Sequence, residues 1–117
     1  MRGHASVQRF LPLTHLLYAV LLSLAEKPDH PYQLVRRIRE RSGGRLDPGT
    51  GSFYSVLAQA ERHGLIRESR TREDARRRVY EIAPLGRETL AAEADRLAAQ
   101  LRDTNAVLLR TAGRKAT

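Results

Sequence analysis

A helix that has to begin after Asp47-Pro48-Gly49 and end at Gly64 constrains this chain more than any other feature. The stretch from Asp47 to Ile66 opens with turn formers and closes with glycine, which predicts a helix from about Thr50 to His63. Within it Phe53, Val56, Leu57 and Ala60 recur at i, i+3, i+4 and i+7, one apolar stripe. The opposite side carries Gly51, Ser52, Ser55, Gln59 and Arg62, small or hydrogen-bonding residues with no carboxylate among them. A helix with an apolar back and a small, polar, non-acidic front can press close to a polyanion, as a recognition helix in a DNA major groove must. A surface helix whose Ser and Gln merely face water has the same pattern, so this helix alone does not decide.

Composition bears on that choice. The 117 residues suffice for one domain with a modest core. Lys plus Arg number 21 against 13 Asp plus Glu, a net charge of +8, and so basic a balance points to an anionic partner. Only Lys27 and Lys115 are lysines; the rest are arginines, whose planar forks suit phosphates and guanine edges, although a coding bias toward arginine would give the same count. With no cysteine, disulfides, thiolate nucleophiles and Cys-ligated zinc are excluded, and a reducing, cytoplasmic setting fits.

Residues 1–11 read as a loose arm whose Arg2 and Arg9 could reach a phosphate. The apolar run Leu16 to Leu22 could pass for a leader segment, but Pro12, Thr14, His15 and Tyr18 flank or interrupt it, and it falls short of the roughly 20 apolar residues a bilayer needs. We read a buried helix from about Leu13 to Glu26, stopped by Pro28, and no membrane partner. Pro31 suits a first helical position with Asp29 or His30 as cap, and a second helix runs from Tyr32 to about Arg41 with Tyr32, Leu34, Val35 and Ile38 on its apolar side. Gly43-Gly44 end it, and the connection to Gly49 has room for a small strand at Arg45-Leu46. Two short helices joined in this way describe a helix-turn-helix.

After Gly64 the pattern becomes extended, with strand candidates at Leu65 to Thr71 and Arg77 to Ile82 around a polar tip at Arg72-Glu73-Asp74-Ala75-Arg76. Arg67, Arg70, Arg72, Arg76, Arg77 and Arg78 crowd this hairpin. Such a run is commonly a solvated surface, here partly neutralised by Glu68, Glu73 and Asp74; directly behind a recognition helix it reads as a wing that meets phosphates or the minor groove.

Pro84 starts the last helix, which we carry to about Arg110, leaving 111–117 as a frayed basic tail. Leu90, Ala94, Leu97, Leu101, Thr104 and Leu108 alternate by four and three, the spacing of a coiled-coil seam. Such a helix extends roughly 40 Å at about 1.5 Å per residue, too far for so small a domain to cover. A second copy is the simplest partner, with the chain's own first helix taking part of the seam. The expected architecture is mainly α with a small β-hairpin: a winged helix-turn-helix over 1–83 and a C-terminal dimerisation helix over 84–110.

In this order of elements the sequence resembles the PadR family of bacterial transcriptional regulators. Gly51-Ser52-Phe53-Tyr54 is similar to that family's Pro-Gly-Thr-Leu-Tyr opening of the recognition helix. Glu61-Arg62-His63-Gly64-Leu65-Ile66 is similar to its exit into the wing, and 74–86 to its wing and the start of its last helix; His30-Pro31-Tyr32 stands where the family often has His-Gly-Tyr. Thr50 departs from the usual proline and Pro31 from the glycine. Ala83 replaces a capping Thr or Ser, at a cost of about 1 kcal/mol. The resemblance covers about Leu13 to Leu108 and implies the short subfamily with a single C-terminal helix. It implies a homodimeric repressor that reads a palindromic operator in double-stranded DNA, with half-sites roughly 34 Å apart. It also implies a small-molecule effector held near the dimer centre, commonly by tryptophans; this chain has none, so the effector stays open.

On this reading Ser52, Ser55 and Gln59 face base edges, Tyr32, Tyr54 and Arg62 hold phosphates, Arg70, Arg72, Arg76, Arg77 and Arg78 supply wing contacts, and Thr50 and Gly51 belong to the same DNA-binding surface. A winged-helix module that binds protein instead, its arginines serving solubility, is the alternative. An enzyme is the weakest reading: His4, His15, His30 and His63 include no i, i+4 metal pair, no serine lies in a nucleophile elbow, and no cofactor or metal is expected. His15 is expected to be partly buried and structural, and His63 to cap the recognition helix or meet a phosphate.

Overall fold

Each helix begins and ends where the sequence is punctuated. The computed structural model describes residues 7–69 and 78–116. Helix α1 spans His15–Glu26; Thr14 caps it, its Oγ1 accepting a hydrogen bond from the Leu17 amide at 3.2 Å, and the extended Lys27 ends it before Pro28. Helix α2 spans Pro31–Arg41, with Pro31 in its first turn and His30 as N-cap; the His30 side chain makes no capping bond, and the Asp29 carboxylate accepts from the His30 amide instead. Gly43 and Gly44 close α2 with φ of 62° and 82°, and the Gly44 amide reaches back to the Arg39 carbonyl at 2.9 Å. Helix α3 spans Thr50–Arg62 and ends at His63, followed by Gly64.

The wing is a two-stranded antiparallel sheet, β1 (Ile66–Glu68) on β2 (Tyr80–Ile82), in the register Ile66↔Ile82, Arg67↔Glu81 and Glu68↔Tyr80. Among the described residues, Leu65, Ser69, Arg78 and Val79 of the expected strands lie outside β1 and β2. No strand forms at Arg45-Leu46: the chain bends there, because the Ser42 hydroxyl oxygen accepts the Leu46 amide at 2.9 Å and holds the connection locally. The third extended piece is Asp29, which exchanges both backbone hydrogen bonds with Tyr80, at 2.9 and 3.1 Å.

Helix α4 spans Pro84–Ala116, a single rod of 33 residues that continues past Arg110 through most of the expected tail. It gives the molecule extents of 66 × 38 × 22 Å. The core gathers Val20, Leu21 and Leu24 of α1, Leu34 and Ile38 of α2, Phe53, Leu57 and Ala60 of α3, and Leu65, Ile66, Tyr80 and Ile82 of the wing. At the base of α4, a Cβ on Gly86 would stand 2.1 Å from the Leu65 carbonyl oxygen, so only glycine lets the helix lie against the start of the wing.

Residues 7–11 are not a loose arm. Val7 is 3% exposed, a turn is closed by the Phe10 and Leu11 amides on the Val7 and Gln8 carbonyls, and Phe10 packs against the core. What anchors the chain after this turn is Glu93 of α4, 2% exposed, whose carboxylate accepts the Leu13 amide at 2.8 Å and the Arg96 guanidinium. The hydrogen bond from Arg96, with that from Leu13, outweighs burial and holds the Glu93 carboxyl below the usual glutamate range.

Candidate nucleic-acid interface

Helix α3 is the centre of the site, and its two faces separate cleanly. Phe53, Leu57 and Ala60 are buried and Val56 is half-buried, whereas Thr50, Gly51, Ser52, Ser55, Gln59 and Arg62 are all exposed. Gly49 caps the helix without a side-chain hydrogen bond, so the amides of its first turn are not closed by a cap. Tyr54, 51% exposed, stands edge-on to the buried Phe53 ring at 5.6 Å, which holds its hydroxyl end outward. Tyr32, 68% exposed, projects from the first turn of α2. The structure thus brings every α2 and α3 residue of the predicted site to the surface.

The arginines divide into two groups. Arg37 is a structural clamp: it donates to the Ser23 carbonyl and Glu26 at 2.7 Å each and to Asp29 at 3.3 Å, tying the end of α1 to α2. Arg41 also pairs with Glu26 at 2.9 Å, and these guanidiniums lower the Glu26 pKa. Arg39 pairs with Asp47, and Arg67 with Glu81 across the hairpin. These cations are largely matched by this chain's own carboxylates. Arg62 and Arg78 are exposed; the Tyr80 hydroxyl, with Glu68 and Glu61 nearby, raises the Arg78 pKa. Arg70, Arg72, Arg76 and Arg77 lie outside the described residues.

One histidine sits differently from expectation and one does not: His15 departs from it, whereas His63 caps the helix as expected. His15 is exposed, because it occupies the first position of α1 before the buried stripe begins. His63 follows α3 as its C-cap, and its ring meets Phe10 edge-on at 5.7 Å, with the Arg9 guanidinium 4.7 Å above Phe10. The turn before α1 therefore supports the end of α3, a contact that sequence reading missed because Phe10 looked like part of a free end. Among the described residues no group of His, Asp and Glu could hold a metal ion, and no helix is long and apolar enough to cross a membrane.

The predicted dimer seam runs from covered to bare. Leu90 packs against the core of its own chain; Ala94, Leu97, Leu101, Thr104 and Leu108 are exposed, as are Val107 and Leu109 beside them.

Residues 20–92 match the model of the transcriptional regulator PadR-like family. The chain belongs to this family. PadR-like proteins are transcriptional regulators rather than enzymes, and the winged-helix architecture with a long last helix agrees. An uncharacterised 37.1 kDa protein in transposon TN4556 of Streptomyces fradiae is 40% identical over 79 residues, 68% of this chain and 22% of that protein, so the chain spans about a fifth of that relative's length. A PadR family regulator from Clostridium difficile R20291 superposes with a TM-score of 0.69 at 18% identity, over 81% of this chain and 99% of its own. Bacillus subtilis PadR, solved in complex with operator DNA, gives a TM-score of 0.59 at 20% identity, over 69% of this chain and 47% of its own. At these identities the two structures speak for the fold.

Proposed function

We propose that this PadR-like chain is a cytoplasmic, homodimeric repressor that binds a palindromic operator in double-stranded DNA. The observation that carries the reading is the exposed, carboxylate-free front of α3, Ser52, Ser55 and Gln59, backed by buried Phe53, Leu57 and Ala60. In the major groove Gln59 offers a bidentate partner for adenine, and Ser52 and Ser55 are short enough to let the helix approach base edges. Thr50 and Gly51 present the open amides of the first turn, and Tyr32, Tyr54 and Arg62 flank the helix where phosphates would run. Arg70, Arg72, Arg76, Arg77 and Arg78 would extend the contact from the wing. Ala94, Leu97, Leu101, Thr104 and Leu108, continuous with Leu90, would meet the same helix of a second copy. A small-molecule effector that relieves repression belongs to the same reading.

The test is selection of bound sequences from a random duplex pool, with mass in solution measured alongside. An enriched palindrome and a dimer mass are the expected result; a monomer, or a pool without a motif, overturns it. Salt dependence separates DNA binding from a protein-binding module. Neutralising several phosphates makes affinity collapse between low and moderate salt, whereas a mainly apolar protein interface is nearly insensitive.

A further inference from the structure

A cavity of about 170 Å³ opens between α1, the end of α2 and the connection that leads to α3. Its apolar walls are the branched side chains of Leu22, Ile38 and Leu46. Ser23, also in the lining, is 1% exposed, and its hydroxyl is the one buried side-chain polar atom among the described residues that finds no hydrogen-bond partner. An unpaired buried hydroxyl is costly to a fold, and one that lies beside a cavity offers a bond that a bound group could complete. Arg41 and Arg45 also line the cavity, and no carboxylate does. Arg45 spends its Nε on the Ser42 carbonyl at 2.8 Å, which fixes the guanidinium; its two terminal nitrogens carry the charge onward. The larger groove beside the wing differs: Glu26, Glu81 and Glu88 there balance Lys27, Arg67 and Arg87.

We propose that this cavity is a ligand site in each subunit for a small aliphatic carboxylate, its hydrocarbon against Leu22, Ile38 and Leu46, a polar atom on the Ser23 hydroxyl and its charge toward Arg45. The site lies within one chain, away from the exposed leucines of α4. A ligand here touches Leu46 and Arg45, the residues that lead into the recognition helix. That consequence for transcription rests on the DNA-binding reading, whereas binding does not and is read directly.

The experiment is a titration of the full-length, isotope-labelled protein with hexanoate and, separately, with uncharged hexanamide, followed by amide chemical shifts. Saturable shifts centred on Leu22, Ser23, Ile38 and Leu46 are expected, with hexanoate bound roughly three- to tenfold more tightly than hexanamide, as suits one partly exposed charge contact. Arg45→Ala, at an exposed position, should remove that difference while the rest of the spectrum stays in place. Ser23→Ala, which deletes only the unpaired hydroxyl, should weaken both probes by a similar factor. Shifts that never saturate, equal affinity for the two probes, or shifts on the α4 leucines instead of the cavity would each overturn the proposal. Because no DNA is present, a protein that fails the operator selection but binds hexanoate separates the two readings.

Discussion

The two halves of α4 carry one heptad pattern and meet opposite fates. From Pro84 to Arg96 the helix is part of the domain: Gly86 lies on Leu65, Thr89 is fully buried and donates to the Leu85 carbonyl, Leu90 packs on the core, and Glu93 holds Leu13. From Leu97 to Leu109 the same spacing puts Leu101 at 60% and Leu109 at 79% exposure. The difference teaches that a seam spacing in sequence marks an apolar face without saying what, within the chain or outside it, lies against it. Its first turns are closed by contacts specific to this chain, including a glycine and a buried charge that a generic apolar seam would not hold.

The comparison can be broken at several points. The largest effect is expected from charging the bare half. Leu101→Asp with Leu108→Asp should leave the thermal unfolding of the domain intact but weaken self-association by about a hundredfold or more. Sedimentation would then show the mass of one chain; an unchanged dimer would remove this half of α4 from the interface. In the covered half, Gly86→Ala forces a methyl onto the Leu65 backbone and should cost about 3 kcal/mol, measured by urea unfolding. A loss below 1 kcal/mol would mean that helix and wing part easily.

Glu93→Gln should cost about 2 kcal/mol, because the charge-assisted bonds to Leu13 and Arg96 go while the volume stays. The folded-state pKa of Glu93 is depressed, so its contribution is complete above the ordinary glutamate value of about 4.3 and is lost as pH falls through the lower folded value. Stability of the parent protein should therefore drop more steeply below that point than that of Glu93→Gln; parallel acid limbs would show that the carboxylate does not anchor the chain. The smallest change is Thr89→Val, which keeps shape and loses one local hydrogen bond. It should alter stability by less than about 1 kcal/mol. On the DNA side, Gln59→Ala should relax sequence preference, whereas Arg77→Ala should weaken all duplexes about equally and lower the salt slope by about 0.9. Unchanged discrimination in Gln59→Ala operator titrations would take that side chain out of base readout.

What could be read before the structure, and what could not, follows the range of the interactions. Helices α1, α2 and α3 were legible because their ends are written locally, in Pro28, Pro31, Gly43-Gly44 and Gly64. The faces of α3 were legible because period and burial coincide there. The Arg37 clamp was hidden in a row of similar arginines: nothing in its sequence neighbours distinguishes it from exposed Arg36, and only the fold brings Glu26 and Asp29 to it. Glu93 and Leu13 are 80 residues apart, and a lone glutamate on a polar-looking helix face gives no signal that it is buried. The proposed strand at Arg45-Leu46 failed because a serine hydroxyl satisfied the backbone that a strand would have used.

The short exchange between Asp29 and Tyr80 has a consequence for how the protein behaves in a crowded solution. A bare sheet margin is a template for edge-to-edge aggregation. Here the inner margin of β2 is taken up by Asp29, and the outer strand is three residues long with Arg67 and Glu68 among them. Among the described residues a stray extended segment therefore finds little unclaimed backbone to join, and what it finds is charged. The described strands of the wing can stay exposed without recruiting a neighbour.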